Sequence, residues 1–231
     1  MSIAENIAQV RANIAQACAQ TGRSPEEITL VGASKMNDAA ACREAIAAGI
    51  DALGENRVQE MTAKLADNAY DGAPLHFIGH LQRNKVKMVV GKVALIESVG
   101  SYELLVDIDK QAEKLGIVQP ILLEVNIGEE EAKSGFAPAE LPAAAEKTKT
   151  LSHVQLRGLM AIPPVVTQEH GSVPYFEKVH ALFVDINENL YNNKLDILSM
   201  GMSGDYEDAV RCGATMVRVG TAIFGARNYT I

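Results

Sequence analysis

Short apolar runs alternate with longer amphipathic segments along almost the whole chain. The short runs are typical of buried β-strands, and the longer segments place apolar residues three and four positions apart, as helices facing a core do. The runs predict strands at 28–34, 51–54, 74–79, 93–97, 119–127, 154–161, 195–200 and 215–219. The amphipathic segments predict helices at 38–48, 56–67, 82–90, 101–115, 137–149, 174–191 and 205–212.

This alternation predicts an α/β fold, a single (β/α)8 TIM barrel that occupies residues 1–231 as one domain. An extra amphipathic N-terminal helix, residues 3–20, would cover the outside or the bottom of the barrel. The alternative is an open doubly wound sheet, which requires a glycine-rich first turn. The segment "GASKMND" supplies only Gly32, so the barrel is favoured.

Composition and charge exclude several classes of partner. The chain has 231 residues, 48% of them hydrophobic, enough for one large core. Its formal charge of −8 disfavours nucleic acid, and no apolar run reaches the roughly 18 residues of a membrane span. Cys18, Cys42 and Cys212 lack C-x-x-C spacing, which indicates free thiols in a reducing cytoplasm. No sustained exposed apolar stripe indicates a dimer, so a monomer is expected.

A closed barrel would bring the residues that follow each strand to one shared mouth. Lys35 follows the first strand and Asn56 the second, and the other residues expected there are Glu55, His80, Glu97, Ser98, Asn126, Met160, Ser203, Gly204 and 218–221. A lysine at a strand end is by itself most often a solvated charge. His76 and His80 lie about 13 Å apart along an extended strand, too far to share a metal, so no metal site is predicted.

The loops after the last two strands, "SMGMSGDYEDAV" and "RVGTAIFG", have the chemistry of a phosphate site. Ser203 is expected to cap a helix that begins near Gly204, and Gly204 and Gly220 would let the backbone approach an anion. Thr221 adds a hydroxyl group. The glycines could instead serve tight turns, and the side chains of three acidic residues would repel a phosphate if they faced it: Asp205, Glu207 and Asp208.

Strands one and eight are neighbours in a closed barrel, so Lys35 would stand beside this phosphate site. An amine next to a phosphate favours a phosphorylated aldehyde, because a deprotonated lysine condenses with a carbonyl to form a Schiff base. Pyridoxal 5′-phosphate and the sugar phosphate of a class I aldolase both meet this description. Arg218 could contact a pyridine nitrogen and, because arginine keeps its proton, would leave that nitrogen unprotonated and disfavour transamination.

Seven segments together resemble the pyridoxal phosphate homeostasis proteins, the YggS-like family with an alanine racemase N-terminal-type barrel. They are "ASK", "GENRVQE", "HFIGHLQRNK", "ILLEVNIGEEEAKSG", "LRGLMAI", "LSMGMSGDYEDAV" and "VRVGTAIFG", within a region of similarity at 28–227. The resemblance implies that Lys35 holds pyridoxal phosphate as a Schiff base and that Asn56 lies near it. It implies a phosphate site at Ser203, Gly204, Gly220 and Thr221, and a contact of Arg218 with the ring nitrogen.

One departure from the family is visible beside the lysine. The family commonly continues as Lys-Thr-Lys-Pro, whereas this chain reads Lys35-Met36-Asn37-Asp38. Asn37 therefore stands where the family has a second lysine. Any role of that lysine in guiding the cofactor in or out is not carried over to this chain.

The sequence favours a cofactor carrier or buffer over an enzyme. A racemase of this barrel type adds a β-domain and a tyrosine as second acid/base, and Tyr206 is the only tyrosine near a predicted mouth segment. The expected role is intracellular pyridoxal phosphate homeostasis, with apoenzymes as possible recipients. The alternatives are a small amino-acid racemase, a class I aldolase, or a structural module that leaves Lys35 unmodified.

Overall fold

The computed structural model describes residues 1–130 and 133–225. Residues 131 and 132 of the motif at 121–135, and residues 226 and 227 of the region of similarity, therefore lie outside the described part of the chain. Eight parallel strands form a closed barrel in sequence order, with the first strand paired to the eighth. The strands are β1 Thr29–Ala33, β2 Ala52–Glu55, β3 Leu75–Phe77, β4 Leu95–Val99, β5 Gln119–Val125, β6 Val154–Ala161, β7 Ile197–Ser199 and β8 Met216–Val219.

Helices connect consecutive strands and cover the outside of the barrel. They are α1 Ile3–Thr21, α2 Ala39–Ala47, α3 Val58–Ala66, α4 Val86–Val89, α5 Tyr102–Leu115, α6 Leu141–Thr148, α7 Val173–Tyr191, α8 Tyr206–Arg211 and α9 Thr221–Phe224. Three short 3-10 turns lie at Pro25–Glu27, Arg83–Lys85 and Pro138–Glu140. In the described part of the chain no helix is both long and apolar enough to cross a membrane.

The predicted (β/α)8 barrel is confirmed, and the doubly wound alternative is wrong. Each strand begins and ends within two residues of its predicted position. The predicted helix 82–90 is divided into a 3-10 turn and the short α4, and the predicted helix 137–149 also begins with a 3-10 turn. The assignment of residues 1–231 to a single domain stays a prediction.

The N-terminal helix lies on the outside of the barrel rather than beneath it. Its apolar face, centred on Ile7, Val10 and Ile14, is buried in the core between the barrel and its helices. The Asn6 side chain also donates to the carbonyl oxygen of Ile223 in α9 at 2.8 Å. Helix α1, near the start of the chain, is therefore bonded to α9 at the end of its described part.

The interior of the barrel is filled by its own layer of side chains, so the barrel is a packed core with a mouth and not a pore. The layer consists of Val31, Ala52, Leu95, Leu122, Met160 and Met216, all almost fully buried. Because successive side chains in a strand point to opposite faces, residues two and four positions further along also point inward. Those positions form the wall of the mouth.

Candidate functional site

The mouth of the barrel contains a cavity of about 590 Å³ at the carboxyl ends of the strands. Its lining residues come from three strands and from the loops that follow six of the eight: Ala33, Lys35, Asn56, Ile78, Gly79, His80, Glu124, Val125, Asn126, Lys133, Ser134, Ile162, Met202 and Arg218. Three of the predicted site residues, Lys35, Asn56 and Arg218, therefore share one cavity.

The turn after β1 presents Lys35 at this cavity. Ser34 is fully buried and its carbonyl oxygen accepts a hydrogen bond from the Asn37 backbone N–H at 3.0 Å, which closes the turn. The Asn37 side chain donates to the Lys35 carbonyl oxygen at 3.1 Å. Asp38 then caps α2 by accepting from the Ala41 N–H at 2.8 Å. Asn37, which stands at the family's second lysine position, thus helps to hold the backbone around Lys35 in place.

Arg218 is a buried cation at the base of the cavity, with 3% of its surface exposed. It donates to Ser199 Oγ at 2.5 Å and to the Ala161 carbonyl oxygen at 3.0 Å, and its guanidinium lies 3.8 Å from Glu97 Oε2. Burial lowers the pKa of Arg218, and the charges of Glu97 and Glu124 oppose that shift. The guanidinium is therefore fixed in position by its hydrogen bonds, and the nearby Glu97 carboxylate compensates its charge.

Glu97 supplies most of that compensation, and sequence reasoning assigned it no role beyond its place at the mouth. It is fully buried, accepts from Ser199 Oγ at 2.6 Å, and has Oε1 2.8 Å from His76 Nδ1. Burial would raise the pKa of Glu97, but the hydrogen bond and charge of His76 and the charge of Arg218 outweigh it and lower that pKa. His76 thus has a carboxylate partner within the barrel.

Glu124 is a second inward carboxyl group that sequence reasoning missed. Its side chain is almost fully buried, lines the cavity, and accepts from Ser134 Oγ at 3.1 and 3.0 Å. Burial raises its pKa, although Ser134 and the charges of His80 and Arg218 act in the other direction. The signal was present in the alternation of β5, because Leu122 faces the interior and Glu124 is two positions further along.

A second cavity of about 740 Å³ adjoins the first and shares Lys133, Ile162 and Met202 with it. Ser203 and Gly204 line this cavity, together with the loop at 162–172. Gly220 and Thr221 are not among the described lining residues of either cavity. The predicted phosphate residues therefore lie beside the Lys35 cavity rather than inside it.

The expected helix cap at Ser203 is wrong. Helix α8 begins at Tyr206, and the residue before it is Asp205, whose Oδ1 accepts from the Met202 N–H at 2.7 Å. Ser203 Oγ instead accepts from the N–H groups of Gly220 at 3.0 Å and Ala222 at 3.3 Å. Ser203 faces the other loop because β7 and β8 are adjacent and their loops pack together. Its hydroxyl therefore occupies two backbone donors, and an anion could use them only by displacing it.

The acidic residues of this loop are occupied by partners of their own. Asp205 Oδ2 accepts from Ser172 Oγ at 3.0 Å. Asp208 lies 2.8 Å from His170 Nδ1 and 2.7 Å from Arg211 Nη1. Glu207 accepts from the Asn13 side chain at 3.3 Å and lies 3.5 Å from Arg211. All three carboxylates are thus held by partners of their own, and Arg211 offsets part of the negative charge of Glu207 and Asp208.

Gly204 and Gly220 are not explained by tight turns. Neither has a positive φ. A Cβ atom added at Gly204 would meet nothing within 4 Å, and one at Gly220 would meet only ordinary contacts at 3.5 Å. Packing within the described structure therefore allows a side chain at both positions, and the open space at Gly204 is available for a ligand.

Asn56 offers a further polar group to a ligand. Its Oδ1 atom is buried and has no hydrogen-bond partner among the described residues. Its backbone lies close to the loop after β3 because Gly79 in that loop has no Cβ. A Cβ there would lie 2.3 Å from the Asn56 carbonyl oxygen. An amine, a fixed cation, an unsatisfied amide oxygen and backbone N–H donors together fit a phosphorylated aldehyde that has a ring nitrogen.

Comparison with known proteins places the chain in a family. Residues 6–228 match the model of the alanine racemase N-terminal domain. The pyridoxal phosphate homeostasis protein of Aquifex aeolicus is 42% identical, across 99% of this chain and 100% of that one. Its counterpart in Pseudomonas aeruginosa is also 42% identical, across 99% and 97%. This chain therefore belongs to the pyridoxal phosphate homeostasis protein family, whose fold is that of the alanine racemase N-terminal domain.

A solved structure agrees with the sequence comparison. PipY of Synechococcus elongatus, solved with pyridoxal phosphate bound, superposes with a TM-score of 0.84 at 35% identity, over 97% of this chain and all of that one. The resemblance stated from the seven segments is thus confirmed across the whole barrel.

Proposed function

We propose that this protein binds pyridoxal 5′-phosphate in the mouth of its barrel and acts as a carrier or buffer in intracellular pyridoxal phosphate homeostasis. The observation that carries the proposal is the placement of Lys35 in one cavity with the buried cation Arg218. The ligand of PipY, at 35% identity, supports the same cofactor.

Each predicted site residue has a role in holding the cofactor. Lys35 would hold the cofactor through a C=N bond between its Nζ and the aldehyde carbon, with water as the leaving group. Arg218 would stand at the ring nitrogen and leave it unprotonated, which would make the ring a poor electron sink. Asn56 contacts the cofactor through its unsatisfied Oδ1. The phosphate is bound by Ser203, Gly204, Gly220 and Thr221.

Carriage is favoured over turnover because the tyrosine considered as second acid/base does not line the Lys35 cavity. Racemisation needs a proton donor on each face of the substrate. Tyr206, the tyrosine considered for this role, is buried, and its hydroxyl accepts from the Asn13 side chain at 2.9 Å on the outside of the barrel. In this proposal the protein is a cytoplasmic monomer and apo forms of pyridoxal phosphate enzymes are its recipients.

The decisive experiment is reduction of the purified protein with borohydride. We expect a yellow protein whose colour is bleached and whose added mass maps to Lys35. A Lys133→Ala variant serves as the control, because Lys133 lines the same cavity but should not carry the adduct. This variant should therefore be labelled at Lys35 as the parent is. A colourless protein that forms no adduct with added cofactor would favour the structural module instead.

Absence of catalysis is tested separately. When cofactor-loaded protein is incubated with common amino acids in deuterated water, the α-protons of the amino acids should exchange no faster than they do with free cofactor. Proton NMR of the amino acids measures this directly. Sustained exchange or racemisation above that level would contradict carriage and favour the racemase alternative.

A further inference from the structure

A cluster of buried charges lies directly behind the turn that carries Lys35. Lys64 in α3 is 6% exposed and its Nζ donates to three oxygen atoms: Ser34 O at 2.8 Å, Glu55 Oε1 at 2.6 Å and Glu60 Oε1 at 2.9 Å. Glu55 is fully buried and also accepts from Ser34 Oγ at 2.6 Å. We call these four residues the Lys64 cluster.

The cluster holds the backbone on both sides of Lys35. Before Lys35, both the carbonyl oxygen and the hydroxyl of Ser34 are bonded to it. After Lys35, the Met36 N–H donates to Glu60 Oε1. Met36 has a φ of 63°, a left-handed conformation that a non-glycine residue rarely adopts without support. Glu60 supplies that support.

Thermodynamic stability alone is a weak reason for such a cluster. Burying charges costs desolvation free energy that their mutual attraction only partly returns, and apolar replacements are often as stable. Desolvation would lower the pKa of Lys64, but the hydrogen bonds and charge of Glu55 and Glu60 outweigh it and raise that pKa. Lys64 therefore remains an ammonium group with fixed donors. Fixed donors are suited to setting the position of a neighbouring segment.

We propose that Lys64, together with Glu60, is a positioning residue for Lys35 that fixes the β1–α2 turn so that the Lys35 amine meets the cofactor aldehyde. The proposal rests on the proposed function for its ligand, and neither Lys64 nor Glu60 lines the cavity that would hold that ligand. Covalent capture depends on holding the two reacting atoms close and aligned, so loosening this turn should slow capture while leaving the non-covalent phosphate contacts intact.

The test compares two ligands on four variants. Pyridoxal 5′-phosphate reports capture by absorbance, whereas pyridoxine 5′-phosphate has an alcohol in place of the aldehyde and reports non-covalent binding by calorimetry. Glu60→Ala removes the acceptor for Met36, Lys64→Met removes all three Lys64 bonds, and Glu60→Gln keeps an acceptor oxygen. Arg11→Met is the matched control.

Arg11 suits this control because it holds Asp51, which joins the start of β2 to β1 at the opposite end of the barrel. It donates to the Gly49 carbonyl oxygen at 2.6 Å and to Asp51 Oδ1 at 2.8 Å, and Asp51 accepts from the Leu30 N–H at 2.7 Å. Replacing Arg11 removes hydrogen bonds near the start of β2 and leaves the bonds of the turn at residues 34–36 unchanged.

We expect Glu60→Ala and Lys64→Met to capture pyridoxal phosphate about tenfold more slowly, with pyridoxine phosphate affinity within about twofold of the parent. Glu60→Gln and Arg11→Met should behave like the parent. Equal weakening of both ligands, or an equal loss of capture in Arg11→Met, would reduce the cluster to a structural role and overturn the proposal. If Lys64→Met fails to fold, the Glu60 pair decides.

Amide hydrogen exchange separates this proposal from the proposed function. In cofactor-free protein, the Met36 N–H should exchange faster in Glu60→Ala than in Glu60→Gln, and unchanged exchange would overturn the positioning role. If the parent captures no aldehyde at Lys35, the proposed function fails, and the exchange result still shows whether the cluster holds the turn.

Discussion

The two halves of the barrel mouth present different kinds of chemical group. On the β1–β2 side, buried charged side chains bind one another and hold the turn around Lys35. In the loops after β7 and β8, the groups that could face a phosphate are backbone N–H donors, hydroxyls and glycines, and the Ser203 hydroxyl bonds the N–H groups of Gly220 and Ala222. In the proposed function, the first half fixes a single reactive atom and these loops offer several donors.

The difference follows from what each half would bind. A covalent bond forms only if one nitrogen is held in reach of one carbon, so its neighbours must be rigid. A phosphate dianion gains a charge-assisted hydrogen bond from each donor around it, so no single donor is indispensable. Removal of Lys35 should therefore abolish capture, whereas removal of a single donor on the phosphate side should only weaken binding.

The largest effect is expected from Lys35→Ala. The variant should lose the visible chromophore and the borohydride-stable adduct completely, because no amine remains at the end of β1. The fold should persist, since a half-buried residue at a strand end contributes little packing. Absorbance, mass spectrometry and circular dichroism measure the three properties. An adduct that survives in the variant would move the attachment point, with Lys133 the next residue to test.

The second effect should be graded and confined to phosphorylated ligands. Ser203→Ala combined with Thr221→Ala removes two hydroxyls but leaves the backbone donors of Gly220 and Ala222 in place. We expect about a tenfold or greater loss of pyridoxal phosphate affinity, since a hydrogen bond to a charged group contributes about 1.5–3 kcal/mol.

Pyridoxal without its phosphate is the control for that experiment. It should bind the parent far more weakly than pyridoxal phosphate and should bind the double variant as it binds the parent. Titration of both aldehydes against both proteins by absorbance gives the four affinities. Equal affinity of the parent for the two aldehydes would mean that the β7–β8 loops bind no phosphate.

Most of the architecture followed from the sequence because helical and strand periodicity alternate without interruption. The strand ends placed Lys35, Asn56 and Arg218 correctly at one cavity, since in a parallel barrel every strand ends at the same mouth. Asn37 shows what the sequence alone could not supply. The sequence shows that Asn37 replaces the family's second lysine. The bond from the Asn37 side chain to the Lys35 carbonyl oxygen, however, depends on the shape of the turn.

What the sequence did not predict depends on contacts between distant segments. Glu97 and Glu124 were assigned no charge relation to Arg218, although each lies two positions beyond an interior residue of its strand. Ser203 was assigned to its own helix, whereas its partners come from the loop after the next strand. The bonds of Lys64 to Ser34 likewise join α3 to β1, and no local pattern indicates such a contact.

The smallest effect is expected between the two halves, at Glu124. Its folded-state pKa is raised above the ordinary value of 4.5, chiefly by burial. Below about pH 4.5 the carboxyl group is protonated in both the folded and unfolded states and contributes no pH dependence. As pH rises toward the folded-state pKa, the unfolded state releases its proton first, so the folded state loses relative stability.

Glu124→Gln removes this titration while its amide oxygen can still accept from Ser134. The variant should therefore gain stability relative to the parent as pH rises above the ordinary carboxyl range, and the gain should level off beyond the raised pKa. Glu97, with its lowered pKa, has the opposite sign, since it loses its stabilising effect as pH falls. The difference between the urea unfolding free energies of variant and parent cancels Glu97 and the other groups common to both. A flat difference curve would show that Ser134, His80 and Arg218 balance the penalty of burial, and a gain that grows as pH falls would show that they outweigh it.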